Sequence, residues 1–483
     1  MTPTPRAAGA RPSVARSLAA AATAFALATP LLAQGGGQGA PTVTARQLPP
    51  APGAPKPFQL AEHRTFTMRN GMKVTLVHYG TVPKAVVTVA LETGVVDEPP
   101  FGPGLASLTM DLLLEGTVAR TAQDISRAAA EMGGSIATSA GAVESEVGGE
   151  VLSVNAARFV NLVSDVVRHP RFEKGDFERV RQNALRNLAI TLQQSGDLAR
   201  QRWRAVVFPG HPFGRPYSTE ATLKALTMGH ARNFFDDNFG ASRAHLYVSG
   251  VFDDAAVEKA ARDAFTDWEP GSPAKDRPAA GATVRQVDLV DRPDAPQSTI
   301  WIGKPVIGPT NPDFTKLEVT DALLGGAFGS RITSNIREDK GYTYSPYSTL
   351  WNHRGAAYWV EVADVTTKDT GNSLKEIVGE IERLRQTPPP DAELDGIKQS
   401  VIGLFVIQNS SRRGVVSQLE YMDEQHLGED YLTGFVQRVL AVTPADVRRM
   451  ADEQLDPARM TITVVGDRKT VEPQIAPFRP VVP

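Results

Sequence analysis

The chain has 483 residues, with 51 lysines and arginines against 54 aspartates and glutamates and no long basic block, so no nucleic-acid partner is expected. It has no cysteine, which excludes disulfides, thiolate metal ligands and a cysteine nucleophile. The length exceeds what one modest core organises and predicts at least two packed units.

Arg6, Arg11 and Arg16 precede an apolar run over residues 18–32, broken only by Thr23, Thr29 and Pro30. With Leu31-Leu32-Ala33 as the processing site, residues 1–33 read as a signal peptide. A buried first helix and a membrane anchor are the alternatives, and the run is short for an anchor. Residues 34–58, rich in Gly and Pro, read as a flexible segment. The expected location is the periplasm of a Gram-negative bacterium, with no stable membrane anchor.

Residues 72–77 carry a strand pattern. Phe159, Leu162, Val163, Val166 and Val167 form a helical apolar stripe stopped by Pro170, and a long helix follows from residue 174 to about 192. Residues 225–250 read as helix, short turn and strand. The Pro- and Gly-rich residues 269–284 read as a linker. Beyond it the series recurs. A strand at 298–303 precedes a stripe of Leu374, Ile377, Val378, Ile381 and Leu384, stopped by Pro388. A long helix at 391–408 and a final helix, turn and strand at 441–466 complete it. A gapless shift of 216 residues lays Thr227 on Thr443, Arg232 on Arg448, Asp236 on Asp452, Arg243 on Arg459 and Gly250 on Gly466.

Two units recurring in one order predict a duplication. The expected fold class is α+β, with lobes at 59–268 and 285–475, each a mainly antiparallel sheet with helices on one face. A single Rossmann-like domain is the rival, but no Gly-x-Gly-x-x-Gly stands between a strand and a helix.

The stretch FGPGLASLTMDLLLEGTVARTAQDISRAAAEMGGSIAT resembles the N-terminal lobe of the M16 metallopeptidases, the pitrilysin, insulinase and mitochondrial-processing-peptidase family. Active members read roughly GLAHFLEHMLFKGT here. NGMKVTLV, ALETGVVDEPPFGPG, HPFGRP and LYVSG extend the resemblance, which runs from about residue 60 to 470. It implies two such lobes forming half of a clam-like chamber. In an active relative two histidines four residues apart bind zinc, the glutamate beside the second activates water, and a later glutamate completes the ligands.

Here the histidine positions are Ser107 and Asp111, and the glutamate position is Met110. No Asp or Glu occurs from Arg179 through Gly196, where the later ligand is expected. The resemblance therefore implies a degenerate site that holds no metal. Leu108, Met110, Leu112, Leu113 and Leu114 are expected to pack the helix, and Glu115 to be solvated or near a cap.

The stretch LLGGAFGSRITSNIREDKGYTYSPYS, residues 323–348, looks like the C-terminal-lobe signature of the family. There an Arg and a Tyr seven residues later reach the cleft, which corresponds to Arg337 and Tyr344. A guanidinium and a phenol suit a peptide carbonyl that develops negative charge. The alternatives are an ion pair of Arg337 with Glu338 or Asp339, and a half-buried strand position for Tyr344. Tyr342 and Tyr347 are auxiliary cleft or packing candidates. Gly325, Gly326 and Gly329 allow tight turns near the cleft, without the Gly-Lys-Ser/Thr ending of a phosphate loop.

The reading is a noncatalytic subunit of a periplasmic zinc peptidase heterodimer. A homologous zinc-bearing M16 subunit would be the partner and an unfolded peptide the substrate, with no cofactor in this chain. The rivals are a standalone peptide-binding or chaperone-like protein, a structural assembly subunit and an autonomous enzyme using unfamiliar ligands.

Overall fold

The computed structural model describes Gly53 and residues 57–480. The expected signal peptide lies outside the described residues, as does most of the 34–58 segment. No helix among the described residues is long and apolar enough to cross a membrane.

Two mixed sheets organise the molecule. The first contains β1 (His63–Thr67), β2 (Lys73–His78), β3 (Lys84–Leu91), β4 (Ala137–Ala140), β5 (Ser145–Leu152) and β6 (Ala244–Gly250), in the order β1-β2-β6-β3-β5-β4. The second contains β7 (Gln286–Asp291), β8 (Gln297–Pro305), β9 (Tyr347–His353), β10 (Ala356–Thr366) and β11 (Thr461–Gly466), in the order β7-β11-β8-β10-β9. Each is antiparallel apart from one pair, β2 with β6 and β7 with β11. The fold class is α+β with a duplicated unit, as the recurring sequence pattern predicts.

The duplication extends to detail. Thr227 and Thr443 each accept a hydrogen bond from the third helical amide of an eleven-residue helix, Met228–Asn238 and Pro444–Gln454. Each helix leads to the strand that forms its sheet's parallel pair. The long helices Lys174–Thr191 and Asp391–Gln408 are both eighteen residues. They are followed by Ser195–Val207 and Arg412–Gln425 respectively.

Helices do not stop at one face of each sheet, as the sequence reading has them. In β3, Val87 and Val89 point to a core with Phe159 and Val163 of the helix Ala156–Arg168. Val86 and Ala90 point the other way and are equally buried. The helix Arg412–Gln425, from the second half, covers that other face. Reciprocally, Ser195–Val207 from the first half lies on β8 and β11. The two halves exchange one helix each. That is why β3 and β10 are apolar at consecutive positions and lack the alternation of a half-exposed strand.

The exchanged contacts differ in chemistry. On the second sheet, fully buried Trp203 sits edge-on to Tyr358, with centroids 4.8 Å apart, and its indole N–H donates to the Thr461 carbonyl at 3.0 Å. On the first sheet, Arg412 binds Glu150 at 2.9 Å, Arg413 bridges Glu146 and Glu420, and Asp423 meets His245 at 3.1 Å.

No regular element separates the helix Asp254–Phe265 from β7, yet this connection is fixed. The Glu269 and Pro270 carbonyls accept the amides of Ala241 and Ser242 at 2.9 and 3.0 Å, and Arg243 donates to the Ser272 carbonyl at 2.8 Å.

Candidate functional site

The helix Leu105–Leu113 starts after Gly104, whose φ of 93° suits glycine. Buried Glu98 anchors its start, accepting the Gly104 and Ala106 amides at 2.9 Å each, and burial pushes its carboxyl up to about 7. Ser107 and Asp111, one turn apart, lie on the exposed side of the helix. Met110 is 1% exposed, in the core with Leu108, Leu112 and Leu113, while Leu114 packs at its edge. The Met110 position therefore presents a thioether to the interior and nothing to the surface.

Glu115 is not a solvated or capping carboxylate. The Arg179 guanidinium grips it through two hydrogen bonds, one of 2.8 Å from Nη1, and Nη2 also donates to Asp176 at 3.0 Å. The two carboxylates hold Arg179 above its ordinary pKa. Arg179 stands on Lys174–Thr191, the helix that packs against Leu105–Leu113. A permanent cation is thus tied to the carboxylate one turn past Asp111, a poor setting for a metal dication. Partial burial and then Glu115 raise the Asp111 pKa. Ser107 and Asp111 supply no imidazole, so this donor set does not fit catalytic zinc.

Among the described residues, three metal-ligating side chains converge in one place. Carboxylate oxygens of Glu144, Glu146 and Glu420 lie within 4.8 Å of one another, with no histidine among them. Arg413 already holds two of the three, and burial with mutual repulsion raises Glu144 well above the carboxylate range and Glu420 to about 8.

The second-half candidates do meet. The helix Phe314–Asp321 widens into a π-turn, Ala322–Gly326, and the chain then turns tightly where the Ser330 amide donates to the Ala327 carbonyl at 3.0 Å. A second π-turn, Ser334–Asp339, carries Arg337. Its Nε lies 3.1 Å from a Glu338 oxygen, so the ion-pair alternative is real. The same guanidinium lies over the Tyr344 ring at 5.2 Å and the Phe328 ring at 4.5 Å.

Tyr344 is 79% exposed and outside any strand. These three residues line an open cavity of about 420 Å³ together with Gly325, Gly326 and Tyr347. Tyr342 is not among the lining residues and packs against the second core.

The glycines have separate explanations. A Cβ on Gly325 would lie 2.4 Å from Glu361 Oε2 and 2.6 Å from Ser348 Oγ, and one on Gly326 would lie 2.8 Å from Asp321 Oδ2. A Cβ on Gly329 would touch nothing. Glu361 is fully buried with neither carboxyl oxygen hydrogen-bonded, and burial first, then Asp321, raises it well above the carboxylate range. Asp321 accepts from the Trp359 indole at 2.7 Å and from Ser348, and burial pushes it up to about 6. Two buried acids thus floor the glycine turn. Phe328, Asp321 and Glu361 escape a reading of the sequence. The only signal is the carboxylate of Glu361 inside the apolar run YWVEVA.

The cavity lining includes no carboxylate, imidazole or amine. Arg337 and Tyr344 can bind and polarise a peptide carbonyl, but nothing there can activate water to attack it.

Two family models match. One described as "Insulinase (Peptidase family M16)" matches residues 73–217 and one described as "Peptidase M16 inactive domain" matches residues 225–401. An uncharacterized zinc protease of Streptomyces coelicolor is 25% identical, over 84% of this chain and 90% of its own length. The beta subunit of the mitochondrial-processing peptidase of Dictyostelium discoideum is 23% identical, over 84% and 89%. The crystal structure of a peptidase M16 inactive domain from Pseudomonas fluorescens superposes with a TM-score of 0.78 at 21% identity, covering 84% of this chain and 98% of that one. The chain belongs to the M16, or insulinase, metallopeptidase family, and its described residues hold no histidine-containing zinc-binding set.

Proposed function

We propose that this chain is the noncatalytic subunit of a periplasmic zinc peptidase and lends Arg337 and Tyr344 to cleavage of unfolded peptides by a homologous partner. One observation carries the reading. Arg337, its guanidinium carbon 5.2 Å from the Tyr344 ring centroid, and Tyr344 line an open cavity in a chain whose zinc-motif helix offers only Ser107 and Asp111 to its surface. A relative named as a peptidase subunit makes a two-chain assembly a natural setting. The periplasmic location rests on the arginine-led apolar run of residues 1–33. The same reading divides the body into lobes at 59–268 and 285–475.

In this assembly the partner supplies zinc and the general base. This chain supplies binding and polarisation. The Arg337 amino groups hold a backbone carbonyl, and the Tyr344 hydroxyl donates to oxygen as charge develops on it.

The test is to purify this chain, a zinc-bearing partner from the same organism and their mixture, and to measure zinc, mass and cleavage of unstructured peptides. The chain alone is expected to carry no stoichiometric zinc and to cleave nothing, with activity in the mixture. Arg337→Ala and Tyr344→Phe should each lower kcat on the order of 100-fold without changing the mass of the complex. Full activity in both variants would remove the proposed role. Peptide binding with no cleavage beside any partner would point to a standalone binder.

A further inference from the structure

We infer that the cavity between the two halves binds a small zwitterion, an α-amino acid the size of alanine, with Glu144 taking its ammonium group and Lys73 its carboxylate. This cavity shares no lining residue with the one beside Arg337, and its ligand does not depend on the peptidase reading.

The cavity lies where β2, β3 and β6 of the first half meet the helix Arg412–Gln425 and the β9–β10 turn of the second. Its volume is about 100 Å³. One water needs about 10–15 Å³ on that scale, so the space suits one small organic ion and not a peptide.

Most charged groups on the wall already have partners. Arg354 binds Glu92, Arg243 donates to the Ser272 carbonyl at 2.8 Å, Asp423 faces His245 at 3.1 Å, and Glu424 meets the His353 ring at 2.8 Å. Two groups stand out. The Glu144 side chain has no hydrogen bond or ion pair among the described residues, and Lys73 has only Asp423, at 3.9 Å.

Glu144 lacks a positive neighbour. Burial first, then Glu420, Glu146, Glu424 and Asp423 raise its carboxyl well above the ordinary range, and the Arg413 guanidinium goes to Glu146 and Glu420 instead. A ligand ammonium supplies the missing charge and three donors.

The other end of the ligand meets donors. His426 closes its helix in the left-handed conformation, φ 54°, a place where glycine is usual, and lines the cavity. Its Nε2 lies 3.1 Å from Arg354 Nη1, which can only donate, so Nε2 accepts and Nδ1–H remains a second donor for a carboxylate. Buried Ala90, Val143 and Ala244 complete the wall with apolar surface, enough for a methyl group. A hard cation is the competing occupant, since oxygens of Glu144, Glu146 and Glu420 lie within 4.8 Å of one another. Arg413 occupies two of those carboxylates, however, and its charge opposes a dication there.

The experiment is titration calorimetry of the purified chain, and of Glu144→Gln and Lys73→Met, with L-alanine, L-phenylalanine, methylammonium, acetate and calcium ion. Alanine is expected to bind at least about tenfold tighter than methylammonium or acetate, each of which presents one charge only. Glu144→Gln should weaken alanine at least about tenfold, and Lys73→Met, at a more exposed position, by a smaller factor. The comparison with methylammonium and acetate needs no substitution and decides the matter even if a variant misfolds. No alanine binding, methylammonium or acetate binding as tightly as alanine, or undiminished binding in a folded Glu144→Gln chain would overturn the inference. Phenylalanine binding as tightly as alanine would remove the size limit, and calcium binding tighter than alanine would reassign the cavity to a metal ion; either result overturns it as well.

Discussion

A Cβ on Gly325 would meet Glu361 Oε2 and Ser348 Oγ, so this position tolerates no side chain without a shift. Its place near a cleft is legible from the glycine-containing stretch before Arg337, but its cause is not, because Glu361 lies 36 residues away on β10. The glycine exists to let a buried carboxyl approach the backbone. Gly325→Ala would set a Cβ 2.4 Å from that carboxyl, and overpacking of this kind costs about 1–3 kcal/mol. Gly329→Ala meets nothing and should stay within about 0.5 kcal/mol of the parent. Denaturant unfolding of both variants checks the contrast, and equal stabilities would mean that the turn relaxes freely around its acids. The Arg337 and Tyr344 pair was legible only through the resemblance to the M16 signature, whose seven-residue spacing this chain keeps. The Glu115 and Arg179 pair was not, because its partners lie 64 positions apart.

Among the elements, apolar stripes located the helices Ala156–Arg168 and Thr370–Gln386, since burying Phe159, Val163 and Val167 requires the periodicity the sequence displays. A stripe does not say which sheet it will cover. Ala199, Trp203 and Val207 recur every four residues along Ser195–Val207, yet they pack on the sheet of the other half. The ionic counterpart, Arg412–Gln425 on the first sheet, carries a consequence for pH. Glu420 faces Glu146 and Glu144 of the first half, and Arg413, Asp423 and Glu424 flank it on its own helix. Tyr247, His245 and Lys73 reach the same helix from β6 and β2 through Asp423, and His353 and Arg354 reach it through Glu424. Burial first, then Glu146, raises the Glu420 carboxyl to about 8, so the folded chain binds that proton more tightly than the unfolded chain does. The stability this group supports is full below about pH 4.5 and is lost as pH rises toward 8. Unfolding measured at pH 5 and pH 8.5 should show a smaller loss for Glu420→Gln than for the parent. An unchanged loss would place the proton elsewhere.

At the scale of the whole molecule, duplication and exchange pull in opposite directions. The repeated sequence predicts two lobes, and each half does have its own sheet and its own helix layer. Because each sheet borrows its outer cover, neither half carries a complete core. Separated at the connection, the first half would leave Val77, Val86, Ala90 and Tyr247 uncovered on its sheet. The second would leave Trp301, Tyr358, Val360 and Val362 bare. The loss is larger for the second, since large aromatic groups replace the ionic contacts of the first and bury more area per residue. Residues 57–284 and 285–480 expressed apart should therefore bind a hydrophobic dye and unfold without a sharp transition, the second half the more severely. Mixed, they should reassociate and recover one cooperative unfolding. The intact chain should likewise melt in one transition, with calorimetric and van't Hoff enthalpies in agreement. Two resolved transitions in the intact chain, or sharp unfolding of both isolated halves, would show that the exchanged helices only decorate two independent domains.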